Sequence, residues 1–372
     1  MSCKFSLKHI LYKNLENIIL NIANDRITRL TKNKKVEFYL MDSFEIFHYL
    51  PIYNALISEN IDAKFVCEPP EINTVKKWFD YDTAINILEK LNVKYSKNAN
   101  PYSRIAFTTQ QAGILHKYHG KKINLNYGCG FNKSNFGNTP ASTRGFDYKF
   151  VHGEYMQKIA LSSLNKNQIK IIGYPKHDKY FQNIPSKKEI MGKYNINTTK
   201  PILLYYPTWD NDSSIQLFGK EIEKLKQDFF IITKAHHCTF RLKEKKEDLD
   251  LLYKISDVVL EGNSEFSDSV VLADIAIIDA KSGSSCEVPY LKDTLPILFL
   301  SVQKKLEDYY VSNIFEFGKI INEPEKLIEQ IYKIWENDEF ISKRKEQIEY
   351  YLGIRDAKST ERTIEVIKKI LK

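Results

Sequence analysis

Asp274-Ile-Ala-Ile-Ile-Asp-Ala-Lys-Ser-Gly-Ser-Ser-Cys-Glu287 is the stretch on which the architecture turns. Its consecutive apolar residues 275–278 are too few for a helix and lack polar alternation, the pattern of a strand buried on both faces. That strand ends in Asp279. The small residues Ser282, Gly283, Ser284 and Ser285 follow, and beyond Glu287 the apolar run 288–291 fits a short helix. Backbone N–H groups and hydroxyls at a helix N-terminus form an anion site, to which the helix dipole adds. Simple capping by Ser284 or Ser285 uses the same geometry. The G-x-x-x-x-G-K-[ST] spacing of a P-loop is absent.

The same alternation of short apolar runs and helical patterns extends in both directions. Strands are predicted at 36–40, 63–67, 104–108, 148–152 and 169–172, then at 202–206, 229–233, 275–279 and 297–300, with helices such as 43–58 and 83–91 between them. Strands separated by helices predict an α/β chain with parallel sheets. A polar stretch at 176–200, rich in Lys, Asn and Thr, ends against Pro201 and divides the chain. The expected organisation is a doubly wound domain over 1–175, a linker over 176–200 and a second doubly wound domain over 201–354. A last helix within 355–372 is freed by Gly353 to cross back. Two facing sheets of this kind bind ligands at the carboxyl ends of their strands, here in the cleft between domains.

Composition narrows the class. The chain has 372 residues, 43% hydrophobic and 27% charged, a balance that excludes a disordered tail or a small disulfide scaffold. Five cysteines are scattered without a C-x-x-C pair, which argues against a zinc ribbon and fits a reducing compartment. No apolar run reaches the roughly 18 residues that span a bilayer. The start lacks an apolar block with a small-residue cleavage site, so a cytoplasmic location is expected. Basic and apolar residues interleave over 1–35, as a packed first helix with a solvated basic side or as a peripheral contact with the inner face of the membrane. The net charge of +8 permits an anionic partner, but lysine outnumbers arginine 47 to 8 and is scattered. Without a binding motif, no nucleic acid is expected.

Four further motifs bring chemistry to strand ends. In His119-Gly120-Lys121-Lys122, an imidazole can take a proton near neutral pH, the glycine admits close approach and the lysines can hold phosphate. The plain alternative is a surface histidine in a basic turn. His116 lies three residues before His119, but no carboxylate or cysteine completes a metal site nearby, and no metal is expected. Gly173-Tyr174-Pro175-Lys176-His177-Asp178 is a strand running into a turn. Pro207-Thr208-Trp209-Asp210 follows a buried strand, so Thr208 can reach a phosphate and Trp209 can wall a pocket. Lys234 and His236 end the strand 229–233 and can neutralise a pyrophosphate leaving group; the adjacent His237 is expected to point elsewhere. Basic and hydroxyl groups at strand ends in both halves suit a cleft for a nucleotide diphosphate.

The order of these motifs resembles the CDP-glycerol glycerophosphotransferase family, which includes the teichoic acid primases and polymerases. The matching segments are His119-Gly120, Gly173 to Asp178, Tyr206-Pro-Thr-Trp209, Lys234-Ala-His236, Asp279 to Ser285 and Arg355 to Arg362. His177 stands where the family has Asn, and His237 where it has Pro. The loop 282–285 with Glu287 is also similar to that of sugar-nucleotide 2-epimerases. Epimerase chemistry needs carboxylates in the first domain, and no motif there supplies them.

The resemblance implies a GT-B fold, with the acceptor on the first domain and the nucleotide on the second. It implies transfer of a glycerol-phosphate-like group from a CDP-activated donor to a hydroxyl of a cell-surface glycan or lipid-linked acceptor, as in capsule or envelope polysaccharide synthesis, with release of CMP. Sugar transfer from a sugar nucleotide is the alternative. It further implies His119 as the base, and His236 with Ser284 and Ser285 on the pyrophosphate. Thr208 and Lys234 would support the pocket, Arg362 would anchor the last helix, and neither metal nor cofactor is expected.

Overall fold

A computed structural model describes residues 34–69, 80–109, 117–127, 145–261, 265–302 and 316–372, with isolated positions 19, 22 and 23. Most of the basic N-terminal stretch and the run 110–116, His116 included, lie outside the described residues.

The first lobe carries β1 (Val36–Tyr39), α1 (Glu45–Ser58), β2 (Ala63–Val66), α2 (Tyr81–Lys90), β3 (Tyr95–Ser96), β4 (Ile105–Thr108), β5 (Lys121–Leu125), β6 (Tyr148–Val151), α3 (Glu154–Ala160) and β7 (Ile169–Ile171). These strands form one seven-stranded sheet in the order β3-β2-β1-β4-β5-β6-β7, every pair parallel. Side chains at the same level of adjacent strands meet across it. The Phe38 ring lies 5.6 Å from Phe65 and 5.1 Å from Phe107, and Phe107 lies 5.7 Å from Phe150. Ile46, Tyr49 and Ile52 of α1 bury that aromatic row.

The second lobe begins with α4 (Asp178–Gln182) and α5 (Lys187–Lys193). It continues with β8 (Ile202–Tyr206), α6 (Ile215–Lys224), β9 (Phe230–Lys234), α7 (His237–Arg241), α8 (Lys246–Ile255), β10 (Val258–Leu260), α9 (Phe266–Leu272), β11 (Ile275–Asp279), α10 (Ser284–Leu291), β12 (Ile297–Leu300) and β13 (Lys319–Ile321). Its six-stranded sheet has the order β10-β9-β8-β11-β12-β13, again parallel throughout. In each lobe the chain leaves its first strand for one edge of the sheet and returns to build the other. The crevices at β1/β4 and β8/β11 are therefore the switch points where such sheets hold ligands.

The tail is α11 (Leu327–Glu336), α12 (Ile341–Leu352) and α13 (Ser359–Leu371). Ile364 and Ile367 of α13 lie in the first lobe's core beside α1. Crossing back starts before Gly353: Ile348, Tyr351 and Leu352 of α12 share one core with Met156 and Ala160 of α3 and Val288 of α10. The polar stretch 176–200 is no loose tether, because Tyr180, Ile190 and Ile196 are buried in that same core.

Strands β3, β5, β10 and β13 escape the sequence pattern. In β5, alternation over Lys122, Ile123, Asn124 and Leu125 is masked by the basic turn it resembles.

Candidate functional site

Asp279 organises the second lobe's crevice. Its Oδ2 accepts the backbone N–H of Thr208 at 2.7 Å and of Ser214 at 3.1 Å, tying the loop after β8 to the end of β11. Burial pushes this carboxyl up to about 7, against the hydrogen bonds that lower it. The Thr208 hydroxyl has no hydrogen-bond partner among the described residues. Ser282 Oγ accepts the N–H of Ser284 at 3.3 Å, and Ser285 Oγ donates to Ser282 O at 2.7 Å, shaping the start of α10. Gly283 is exposed with open space around it.

At the end of β9, Lys234 is buried and its Nζ donates to Glu261 O at 3.2 Å. Burial, with Lys176 second, lowers its ammonium to about 8. His236 Nδ1 accepts the N–H of Cys238 at 3.2 Å, which places the proton of the neutral ring on Nε2. The His236 ring lies 5.9 Å from Trp209 and 4.1 Å from His237. The two histidines therefore lie side by side instead of diverging, because the helix cap turns His236 back along the chain. His237 reaches the first lobe, 5.9 Å from the Phe44 ring. With Cys238 these rings form a group of metal-ligand type, but one ring nitrogen is taken by the cap.

The first lobe presents its own crevice. Asp42 follows β1, and burial, opposed by Arg241 of α7, pushes its carboxyl up to about 6. Glu45 starts α1; its Oε2 accepts from the N–H groups of Met41 (2.5 Å) and Asp42 (3.1 Å), and its Oε1 accepts from Thr109. The His48 ring packs among Phe44, Tyr127 and Tyr174, with centroids 6.0, 5.9 and 5.9 Å away.

Glu287 of α10 fastens the turn between the lobes. Its Oε1 accepts from Tyr174 Oη at 3.1 Å, Lys176 Nζ at 2.7 Å and His177 Nε2 at 2.7 Å, all from the turn after β7. Burial raises the Glu287 carboxyl, but Lys176 and the His177 bond together outweigh it and hold the group well below the usual range. Burial keeps His177 neutral although its bond to Glu287 pulls the other way.

A sequence profile described as CDP-glycerol:poly(glycerophosphate) glycerophosphotransferase matches residues 72–369. The chain belongs to that family. It is a transferase. A teichoic acid glycerol-phosphate transferase of Staphylococcus aureus is 23% identical over 406 residues, 91% of this chain and 99% of that protein. The wall teichoic acid polymerase TagF, in a structure soaked with CDPG, is 16% identical with a TM-score of 0.62, covering 100% of this chain and 98% of that one. UDP-GlcNAc 2-epimerase of Neisseria meningitidis is 15% identical with a TM-score of 0.63 over 90% of this chain and 100% of that one. The two structures establish the two-lobed GT-B type of fold.

Against that frame of a glycerophosphotransferase, His119 is misplaced as a base. It precedes β5, so it lies at the amino edge of a parallel sheet whose carboxyl edge forms the crevice. Its N–H donates to Pro101 O at 2.8 Å before β4, and its ring faces Tyr102 at 5.4 Å. Gly120 admits protein backbone instead of substrate: a Cβ there would meet Ser103 O at 2.1 Å. Lys121 and Lys122 lie at that same edge and face Asp147. Lys121 Nζ pairs with Asp147 at 3.1 Å, and the Lys122 N–H donates to the same carboxylate at 2.9 Å. Glu287, which follows the serine-rich loop expected to bind the donor, is taken up by the turn after β7, to which Tyr174 and Pro175 belong. Arg362 Nε donates to Ile172 O at 3.1 Å, pinning α13 to the end of β7.

The first domain does carry carboxylates in its crevice, Asp42 and Glu45. These two, His48, Tyr127 and His152 carry no recognisable motif. The rule that ligands gather at carboxyl ends, applied to β1 and β6 as it was to β8, β9 and β11, would have found Asp42 and His152.

Proposed function

We propose that the cleft binds a CDP-activated polyol phosphate, glycerol phosphate foremost, and passes its phosphoryl group to a hydroxyl of a cell-surface glycan or lipid-linked acceptor. The supporting observation is the set of groups at the carboxyl ends of β8, β9 and β11. Thr208, Lys234, His236 and the start of α10 converge there, opposite the first lobe's own crevice. Transfer needs the attacking oxygen, the phosphorus nearest the glycerol and the bridging oxygen in line, so positioning counts as much as proton transfer. Lys234 and the Nε2–H of His236 stabilise the charge that gathers on the departing CMP. In this reading the protein's own cations suffice and no metal takes part. Basic residues within 1–35 bring the chain to anionic lipid, where a lipid-linked acceptor resides. No helix among the described residues is long and apolar enough to cross a membrane.

Incubation with CDP-glycerol and a short glycerol-phosphate oligomer releases CMP and lengthens the oligomer. CMP and CDP raise the melting temperature, because a ligand that binds only the folded state stabilises it. Release of nucleoside diphosphate from a sugar nucleotide, with no CMP from any CDP donor, would replace this reading by sugar transfer. Solvent deuterium entering a UDP-sugar would replace it by epimerisation.

A further inference from the structure

We infer that His48 takes the proton from the attacking hydroxyl, an assignment that rests on the transfer reaction above. His48 lies in the first turns of α1, at the carboxyl end of β1, inside the switch-point crevice of the lobe that faces the donor groups. It is buried among Phe44, Tyr127 and Tyr174, and neither ring nitrogen has a hydrogen-bond partner among the described residues. A buried imidazole without partners is costly unless a ligand supplies them.

The other described imidazoles of the first lobe are committed. His152 Nε2 is 3.0 Å from Asn126 O, and its Nδ1 is shut away from solvent. His177 Nε2 is held by Glu287. His119 is at the far edge of the sheet. His48 thus combines crevice position with nitrogens that no described residue engages.

The electrostatics keep the ring of the free protein neutral. Lys176 and His177 of the turn after β7, His152 after β6, Tyr127 after β5 and Glu287 of α10 surround the ring. Burial, then Lys176, hold it well below the usual histidine value, so it is neutral and able to accept a proton at pH 7. A bound diphosphate adds negative charge nearby and favours the imidazolium as it forms. In the step, the acceptor O–H gives its proton to a His48 nitrogen and the oxygen bonds the phosphorus nearest the glycerol. The bond from that phosphorus to the bridging oxygen breaks, CMP leaves with the electron pair, and His48 returns the proton to solvent.

The test compares wild type, His48→Gln, His48→Asn and His119→Ala with CDP-glycerol and the oligomer. His48→Gln is expected to lower kcat by about 100-fold or more. Its donor KM and its thermal stabilisation by CMP should stay unchanged, and the acid limb of the kcat/KM profile should vanish. His119→Ala should keep kcat within about twofold, since it alters the far edge of the sheet. His48→Asn distinguishes lost chemistry from misfolding: it must melt and bind CMP as wild type does while remaining slow. Either His48 variant turning over near the wild-type rate overturns the assignment and leaves the transfer reading intact. If wild type releases no CMP, the transfer reading fails and the assignment falls with it.

Discussion

Lys234 has an ammonium buried at the end of β9, and that burial sets its pH response. A cation there favours the donor's diphosphate, and its value of about 8 puts loss of charge within the working range. The sign follows directly: the group is protonated below pH 8 and neutral above it. The kcat/KM for CDP-glycerol should therefore fall as pH rises through about 8, since this ratio reports groups of the free enzyme. Lys234→Arg, whose guanidinium stays charged, should carry the plateau to higher pH. Parallel alkaline limbs in both proteins would assign the fall to another group. Asp279 differs in kind. Its backbone hydrogen bonds hold the Thr208 loop, so its replacement should damage folding and donor binding together.

Elements explain which parts of the site were legible. Strands β8, β9 and β11 are almost wholly apolar, and polar residues follow each of them closely, so the groups after them stand out. Strand β5 carries two lysines and an asparagine among five residues, so in sequence its start reads as a ligand loop and His119 as a residue at a strand's exit. Asp42 and His48 were hidden because α1 begins with Glu-Ile-Phe-His, which reads as ordinary amphipathic helix. The link between Gly173–Asp178 and Arg355–Arg362 was visible only as shared order. In space Asp178 Oδ1 accepts the N–H of Ser359 at 3.1 Å and Oδ2 that of Thr360 at 2.5 Å, satisfying the first turn of α13 from the opposite motif. The same junction needs Gly173 at φ +82°, where a Cβ would meet Ser359 Oγ at 2.3 Å. Loss of a cap costs about 0.5–2 kcal/mol. Asp178→Ala should lower stability by that order in urea denaturation and speed amide exchange in α13. Unchanged exchange there would show that packing of Ile364 and Ile367 holds the helix unaided.

At the scale of the whole molecule, one carboxylate oxygen fastens the turn between the lobes to α10. Glu287 Oε1 receives Tyr174, Lys176 and His177, and the side chains of the charged pair Lys176 and Glu287 are largely shielded from water. Removing one member of a buried charged pair typically costs about 3–5 kcal/mol, because the other is left without compensation. Glu287→Ala should destabilise the protein by that order at pH 7, and the further change Lys176→Met should recover part of the loss if the stranded ammonium is its source. The pH dependence has a fixed sign. The folded carboxyl lies well below its ordinary value, so its contribution is complete above the unfolded value of about 4.3 and disappears as pH falls through the lower folded one. The stability gap between wild type and Glu287→Ala should hold from pH 7 to about 5 and narrow below about pH 4. A gap that stays constant into strong acid would mean that the carboxylate's charge contributes nothing and that shape alone holds this turn against α10.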